Sequence, residues 1–455
     1  MADVNPRYQL GPRSRRGLVA GWRAGQLAVV GVGLVIAVVV MRSVGRGVGA
    51  LLALLVLASF VAFVTWPLGG RSADQWTPVV ASHVARRTRA PSKRRRGALS
   101  DLELHDIPAE EGRRIGVIVD RAAGTWTGTM RIGGSGFSLS DEMERSRRVA
   151  AWSGVLAGSA REGGGLHRLQ WIARCLPGRV GDPGPGECAE RGIAKDSYKS
   201  LLDRAVPMLW RHEILVAVSV RSSAGPGRRR RPDVGRKLLD ELNALERRCL
   251  AAGLEVEGPL SPSAVAAMIH SSAAGASRPE AAAETWPWPL GIAESWSSIR
   301  TDATWHAVYW IADWPRTGVG SGFLLPLMLE GTLRRTIAVT MAPVAPLRAV
   351  RRAEHDRTSA VADAELRSRH GFAVTARARH EHEATTRRET ELAEGHGSFR
   401  FSGYLAVTVD DEVALADACA RLEQIAAQAQ LELHRMYGSQ QDGYVCLLPT
   451  GRGCA

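Results

Sequence analysis

The sequence predicts an α+β protein: an N-terminal two-helix transmembrane hairpin, then two ferredoxin-like α/β units forming an approximate internal repeat, with a charged helical arm in the second. Three observations carry this expectation. Two uncharged apolar runs, residues 24–41 and 48–68, stand back to back near the start. A strand opening on Thr-Trp and leading to a Gly-Ser-Gly-Phe turn occurs twice, at Thr125-Trp126 with residues 134–137 and at Thr304-Trp305 with residues 320–323. A stretch dense in Arg, Glu, His and Ala fills residues 347–395.

The apolar runs read as membrane spans on length and flanks. Residues 24–41 hold Gln26 as the one strongly polar side chain, and residues 48–68 end on Trp66-Pro67, an interfacial aromatic followed by a helix stop. The break at 42–47 admits only a tight turn, which makes the helices antiparallel neighbours. Gly45-x-x-x-Gly49 and Ala58-x-x-x-Ala62 offer small faces for their packing. Arginine flanks both outer ends: Arg7, Arg13, Arg15, Arg16 and Arg23 before, then Arg71, Arg86, Arg87, Arg89 and Lys93-Arg94-Arg95-Arg96 after. The expectation is a two-pass cell-membrane protein with both termini cytoplasmic. Residues 1–23 form its basic N-terminus, 24–68 the hairpin and 69–100 a basic juxtamembrane linker.

Net charge bounds the partners. Of the formal +13, residues 1–100 carry 15 Lys/Arg against 2 Asp/Glu, which leaves 44 basic and 44 acidic residues for positions 101–455. The basic balance therefore belongs to a collar suited to anionic lipid, and pI is no argument for DNA; direct nucleic-acid contact is not favoured. Cys175, Cys188, Cys249, Cys419, Cys446 and Cys454 show no paired spacing and read as reduced structural thiols.

In the first unit, residues 101–260, strands are expected at 115–119, 125–132, 167–175, 213–220 and 254–258, and helices at 140–160, near 197–209, and at 234–252. Residues 261–291, rich in Ala, Ser and Pro, read as a linker. The second unit, 292–455, begins the same order again with strands at 304–311, 336–341, 402–409 and 431–437 and a helix at 412–429. Between the second and third of these strands lies the arm 347–395, read as a helical hairpin broken at Gly371-Phe372. Its apolar face is thin, as in a segment that projects into solvent or onto a partner.

No motif names a chemistry. The four lysines, Lys93, Lys195, Lys199 and Lys237, follow Ser92, Ala194, Tyr198 and Arg236, so the G-K-[ST] of a phosphate-binding loop is absent. The Gly-Ser-Gly-Phe turns could offer amides to an anion, but a tight strand-to-helix turn explains them better. His380-Glu381-His382, near His355, His370 and His396, places two imidazoles two apart and so on different helix faces, unlike a zinc-binding H-E-x-x-H. Arg228 to Arg231 sit in a Gly/Pro loop and read first as solvated, second as a phosphate or headgroup contact. Trp286, Trp288, Trp296, Trp305, Trp310 and Trp314 read as core and interface. The expectation is a chain that is not an enzyme, with no catalytic, cofactor-binding or metal-binding residue and no cofactor.

The ending, Arg435-Met436-Tyr437-Gly438-Ser439-Gln440-Gln441-Asp442 followed by Leu447-Leu448-Pro449-Thr450-Gly451, resembles that of a family of membrane proteins from actinobacterial integrating conjugative elements. These are similar to a PrgI-type two-helix subunit of type IV secretion joined to a motor-less N-terminal domain of the secretion ATPase. The resemblance implies a non-enzymatic inner-membrane scaffold, oligomeric, which docks a secretion or conjugation ATPase beside other membrane subunits. Two other classes stay open: a subunit like EccE of type VII secretion, and a membrane-tethered enzyme with an unrecognised site.

Overall fold

The computed structural model describes residues 24–43, 47–65, 97–109, 112–133, 136–160, 165–178, 209–222, 231–273, 287–315, 318–369 and 376–453, with short pieces between 67 and 85 and at Ser200. The apolar runs form helices α1 (Ala24–Ser43) and α2 (Val48–Thr65). They pack through small residues: Gly33, Ala37, Gly49 and Ala53 are buried, and a Cβ on Gly33 would lie 2.7 Å from the Phe60 ring. Ala58 and Ala62, expected at this contact, are exposed.

The membrane placement is corrected here. Among the described residues no helix is long and apolar enough to cross a membrane. The two-pass hairpin and the cell-membrane localisation with cytoplasmic termini are therefore not carried forward. The collar residues 86–96 lie outside the described residues, and so does the expected lipid contact there.

The rest of the chain builds one antiparallel sheet, where two separate units on a mixed sheet were expected. The first half supplies β1 (Leu102–Pro108), β2 (Arg114–Asp120), β3 (Thr125–Ile132), α3 (Glu142–Ser159), β4 (Leu166–Pro177), β5 (Trp210–Arg221), α4 (Arg231–Ala251) and β6 (Val256–Pro259). Residues 261–291 are not merely a linker, since α5 (Pro262–Ala273) buries Val265, Met268 and Ile269. The second half supplies β7 (Ile292–Glu294), β8 (Ile299–Thr301), β9 (Thr304–Asp313), α6 (Leu325–Leu329), β10 (Arg334–Val344), α7 (Pro346–Arg369), α8 (Ala376–Ala393), β11 (Ser398–Val409), α9 (Leu415–Gln428), β12 (Glu432–Arg435) and α10 (Gln440–Leu447).

The twelve strands run β1-β2-β3-β5-β4-β10-β11-β9-β8-β7, with β6 also on β3 and β12 also on β9. Each half thus contains the order β6-β3-β5-β4 or β12-β9-β11-β10, a β-α-β-β-α-β succession. The halves fuse where β4 pairs with β10, Ile172 opposite Ala338. What the junction corrects is the mixed sheet: two strand edges meet, and one antiparallel ladder runs on through both halves without a break.

Strand alternation then sorts the side chains onto two faces. On one face α3 and α4 cover Val117, Met130, Leu169, Val216 and Val218, while α6 and α9 cover Tyr309, Ile311, Ile337, Leu405 and Val407. On the other, Ile118, Ile172, Leu215, Val308, Ala338 and Ala406 form one core with α5 and α10 that spans both halves. Arg335, buried among the second half's apolar residues, donates to the carbonyls of Leu327, Met328, Glu330 and Leu333. The first three are orphaned acceptors at the end of α6, where a cation also suits the helix dipole.

Candidate functional site

The arm is the one large insertion that breaks the correspondence of the described halves. It rises between β10 and β11 as α7 and α8. Pro346 opens α7, where its missing N–H costs no hydrogen bond. At the root Ala349 and Ala353 are buried, at 1% and 2% exposure. Beyond it the helices are held by charge: Arg357 donates to both oxygens of Glu389 at 3.0 and 2.8 Å. An open groove of about 500 Å³ runs between them past Glu354, Arg357, Val361, Glu365 and Glu389. Gly395 ends α8 at φ +91°, and the Gly395 and His396 amides close onto Leu392 and Glu391, a left-handed cap that turns the chain sharply into β11.

The outward surface of the arm is polar. Arg348, Arg351, Arg352 and His355 lie along α7, and Glu383, Arg387 and Glu391 line α8 with Glu394 just past its end, all exposed. Leu347 and Val350 punctuate the root at 63% and 38% exposure. Such a surface has little to bury against its own sheet.

The opposite extreme is the segment after α10, residues 448–453, which crosses the seam between the halves. Thr127 Oγ1 donates to the Thr450 carbonyl and lies 2.6 Å from Ser219 Oγ. Gln170, fully buried, donates to the Cys446 carbonyl at 2.7 Å and accepts from the Gly451 amide at 2.9 Å. Arg168 donates to the Gly451 carbonyl, Thr340 to that of Arg452, and Ser402 and Tyr404 to that of Gly453. At Gly451 φ is +67° and a Cβ would stand 2.1 Å from Ser219 Oγ, so only glycine fits.

Arg452 then reaches back to the first half. Its guanidinium grips Asp120 through two nitrogens and donates to the Ala98 carbonyl. Burial pushes the Asp120 carboxyl up, but the Arg452 guanidinium and the amides of Ala123 and Ala122 outweigh it and hold the group below the usual carboxylate range.

The residues singled out by sequence do not converge. His355 and His396 are exposed, His380 and His382 sit on α8 with side chains outside the described set, and His370 is not described. Among the described residues no three His, Cys, Asp or Glu are grouped to hold a metal. Arg228 to Arg230 and Trp286 lie outside the described residues, and Arg231 starts α4. Cys175, Cys249, Cys419 and Cys446 are buried free thiols.

The glycine turns meet α3 from two sides. Arg145 donates to the Phe137 and Ser138 carbonyls of the first turn, and Ser321 of the second donates to Glu142 at 2.9 Å. Trp288 is buried; Trp296 stacks 5.8 Å from Trp76 and 6.2 Å from Tyr437, tying the segment after α2 to the second half. Sequence reasoning missed the 448–453 strap. Its one local signal was an arginine between two glycines.

No family model matches the chain, and no curated protein matches it by sequence.

Proposed function

We propose that the chain is a non-enzymatic scaffold of a conjugation or type IV-like secretion apparatus, with the α7–α8 arm as the surface that docks the motor ATPase. The observation that carries this reading is the arm itself: two helices of 24 and 18 residues inserted at a strand-to-strand connection. They rest on two buried alanines and expose charges of both signs. Alternating charge of this kind sets the register and specificity of a contact more than it stabilises a fold. The polar groups of the seam speak for the same reading, since Gln170, Asp120, Thr127 and Ser219 are spent on internal partners.

The test replaces residues 347–395 by a short Gly-Ser connection. The shortened protein should fold with the thermal midpoint of the full chain and fail to capture the apparatus ATPase. Full capture without the arm, or ATP hydrolysis by the purified chain alone, would overturn the proposal.

A further inference from the structure

Beneath α5 and α10 the sheet carries a polar void of about 20 Å³, room for one water-sized or monoatomic occupant. It lies at the junction of the halves: Arg174 comes from β4, Arg334 and Thr336 from β10, His306 from β9, Ser272 from α5 and Tyr444 from α10. Among the described lining residues there are two guanidiniums and several hydroxyls, and no carboxylate.

Charge in this neighbourhood is unbalanced. Glu213 is the buried carboxylate nearest Arg174, which donates to it at 2.9 Å, but Arg211 and Arg131 share it at 2.9 and 3.7 Å. Arg334 donates to the Ser271 carbonyl and has Asp410 3.9 Å away, a side chain 74% exposed and screened by solvent. His306 adds no negative partner: its nitrogens are engaged by Thr408 at 2.9 Å and Thr301 at 2.6 Å. Burial, then Arg334, pushes it down to about 3, so it is neutral.

One buried group also lacks a partner. Tyr444 is 2% exposed, and its Oη makes no hydrogen bond of acceptable geometry. The Thr301 hydroxyl beside it is already engaged with His306 and the Ala273 carbonyl. An unpaired buried hydroxyl is costly, and two cations beside one unpaired O–H, that of Tyr444, form a donor set suited to an anion.

We propose that this void is a binding site for a single monovalent anion of halide size, held between Arg174 and Arg334 with Tyr444 Oη donating to it. The site goes beyond the docking role of the arm and does not depend on it. Its ligands come from both halves and from α10, so occupancy tightens the junction.

The experiment uses the full chain. Crystals soaked in bromide should show an anomalous peak between Arg174 and Arg334. At matched ionic strength, bromide and chloride should raise Tm saturably above its value in gluconate. Tyr444→Phe, checked for a native circular-dichroism spectrum, should need roughly tenfold more halide for half the effect, as expected for losing one hydrogen bond to a charge. An absent peak with equal Tm in halide and gluconate would overturn the proposal and leave the void to water. An unchanged half-saturation in a folded Tyr444→Phe protein would also overturn it; should that variant not fold, the wild-type bromide and gluconate measurements decide.

Discussion

The strap at 448–453 and the arm at 346–393 are both polar, yet they stand at opposite ends of what polarity does in a fold. The strap is short and buried, and side chains of four strands read its carbonyls and amides. The arm is long and exposed, and a single bidentate pair, Arg357 with Glu389, spans the middle of its described helices. Buried hydrogen bonds and ion pairs are modest in net gain but costly to break, because the abandoned partner has no water to turn to. Exposed pairs cost almost nothing to lose. The two regions should therefore answer mutation on different scales.

The largest effect should come from ending the chain after Leu448. That removes the partners of Thr127, Arg168, Gln170, Thr340 and Asp120 together. We expect a loss of at least about 4 kcal/mol, seen as a lower denaturant midpoint in chemical unfolding. An unchanged midpoint would mean that the seam is hydrated and that the contrast with the arm is false.

Asp120→Asn leaves Arg452 without its anion, and should cost about 2–3 kcal/mol, less than a fully buried pair because Arg452 keeps some solvent. The pH dependence sharpens this. Because the folded carboxyl titrates below its ordinary value, its contribution is complete above about pH 4 and fades as pH falls through the lower folded value. The variant should thus show a shallower acid decline than wild type.

His306 tests the same buried face with the opposite charge. Its folded value is down to about 3, whereas an unfolded histidine titrates near about 6.5. Stability is then present in full above that value and declines as pH falls between the two, by up to about 1.4 kcal/mol per pH unit. His306→Gln should flatten that slope in equilibrium unfolding; an unaltered slope would show the imidazole to be hydrated.

The smallest effect is expected on the arm. Arg357 is 54% exposed in its pair, so Arg357→Ala should change stability by less than about 0.5–1 kcal/mol. A larger loss in thermal unfolding would show that the arm belongs to the cooperative core.

Local periodicity made several elements legible. The Thr-Trp strands at β3 and β9, the helix α4 with its apolar stripe, and the charged pair α7–α8 could each be read from a window of residues, because their burial follows their own alternation. The joining of β4 to β10 could not, since nothing in either strand names its far partner. β7, β8 and α10 are three to eight residues long, too short for a periodic signal. The membrane reading rested on the length and flanks of residues 24–68, and it does not stand: among the described residues no helix is long and apolar enough to cross a membrane.

The strap misled in a different way. Thr125, Thr127 and Thr129 on β3, and Gln170 on β4, alternate with apolar neighbours as solvent-facing residues do, yet all four are at most 4% exposed. Polar alternation marks a face that needs hydrogen bonds, and a segment more than 270 positions away supplies several of them. No window of sequence holds that information. The arm was visible because its charge pattern is local to its own residues, and the seam was hidden because its partner lies far along the chain.

The span of those contacts bears on the order in which the molecule is made. Arg452 and Asp120 are 332 positions apart, and Thr127 and Thr450 are 323 apart. A ribosome that has released α5 has already exposed β3, β4 and β5, with threonines and a glutamine facing a lid that is not yet synthesised. Non-local pairing of this kind slows folding and lengthens the time that strand edges stand open. The junction edge of β4 must wait for β10, and its polar face for the strap. During that interval the first half stands without the seam partners that residues 440–453 supply.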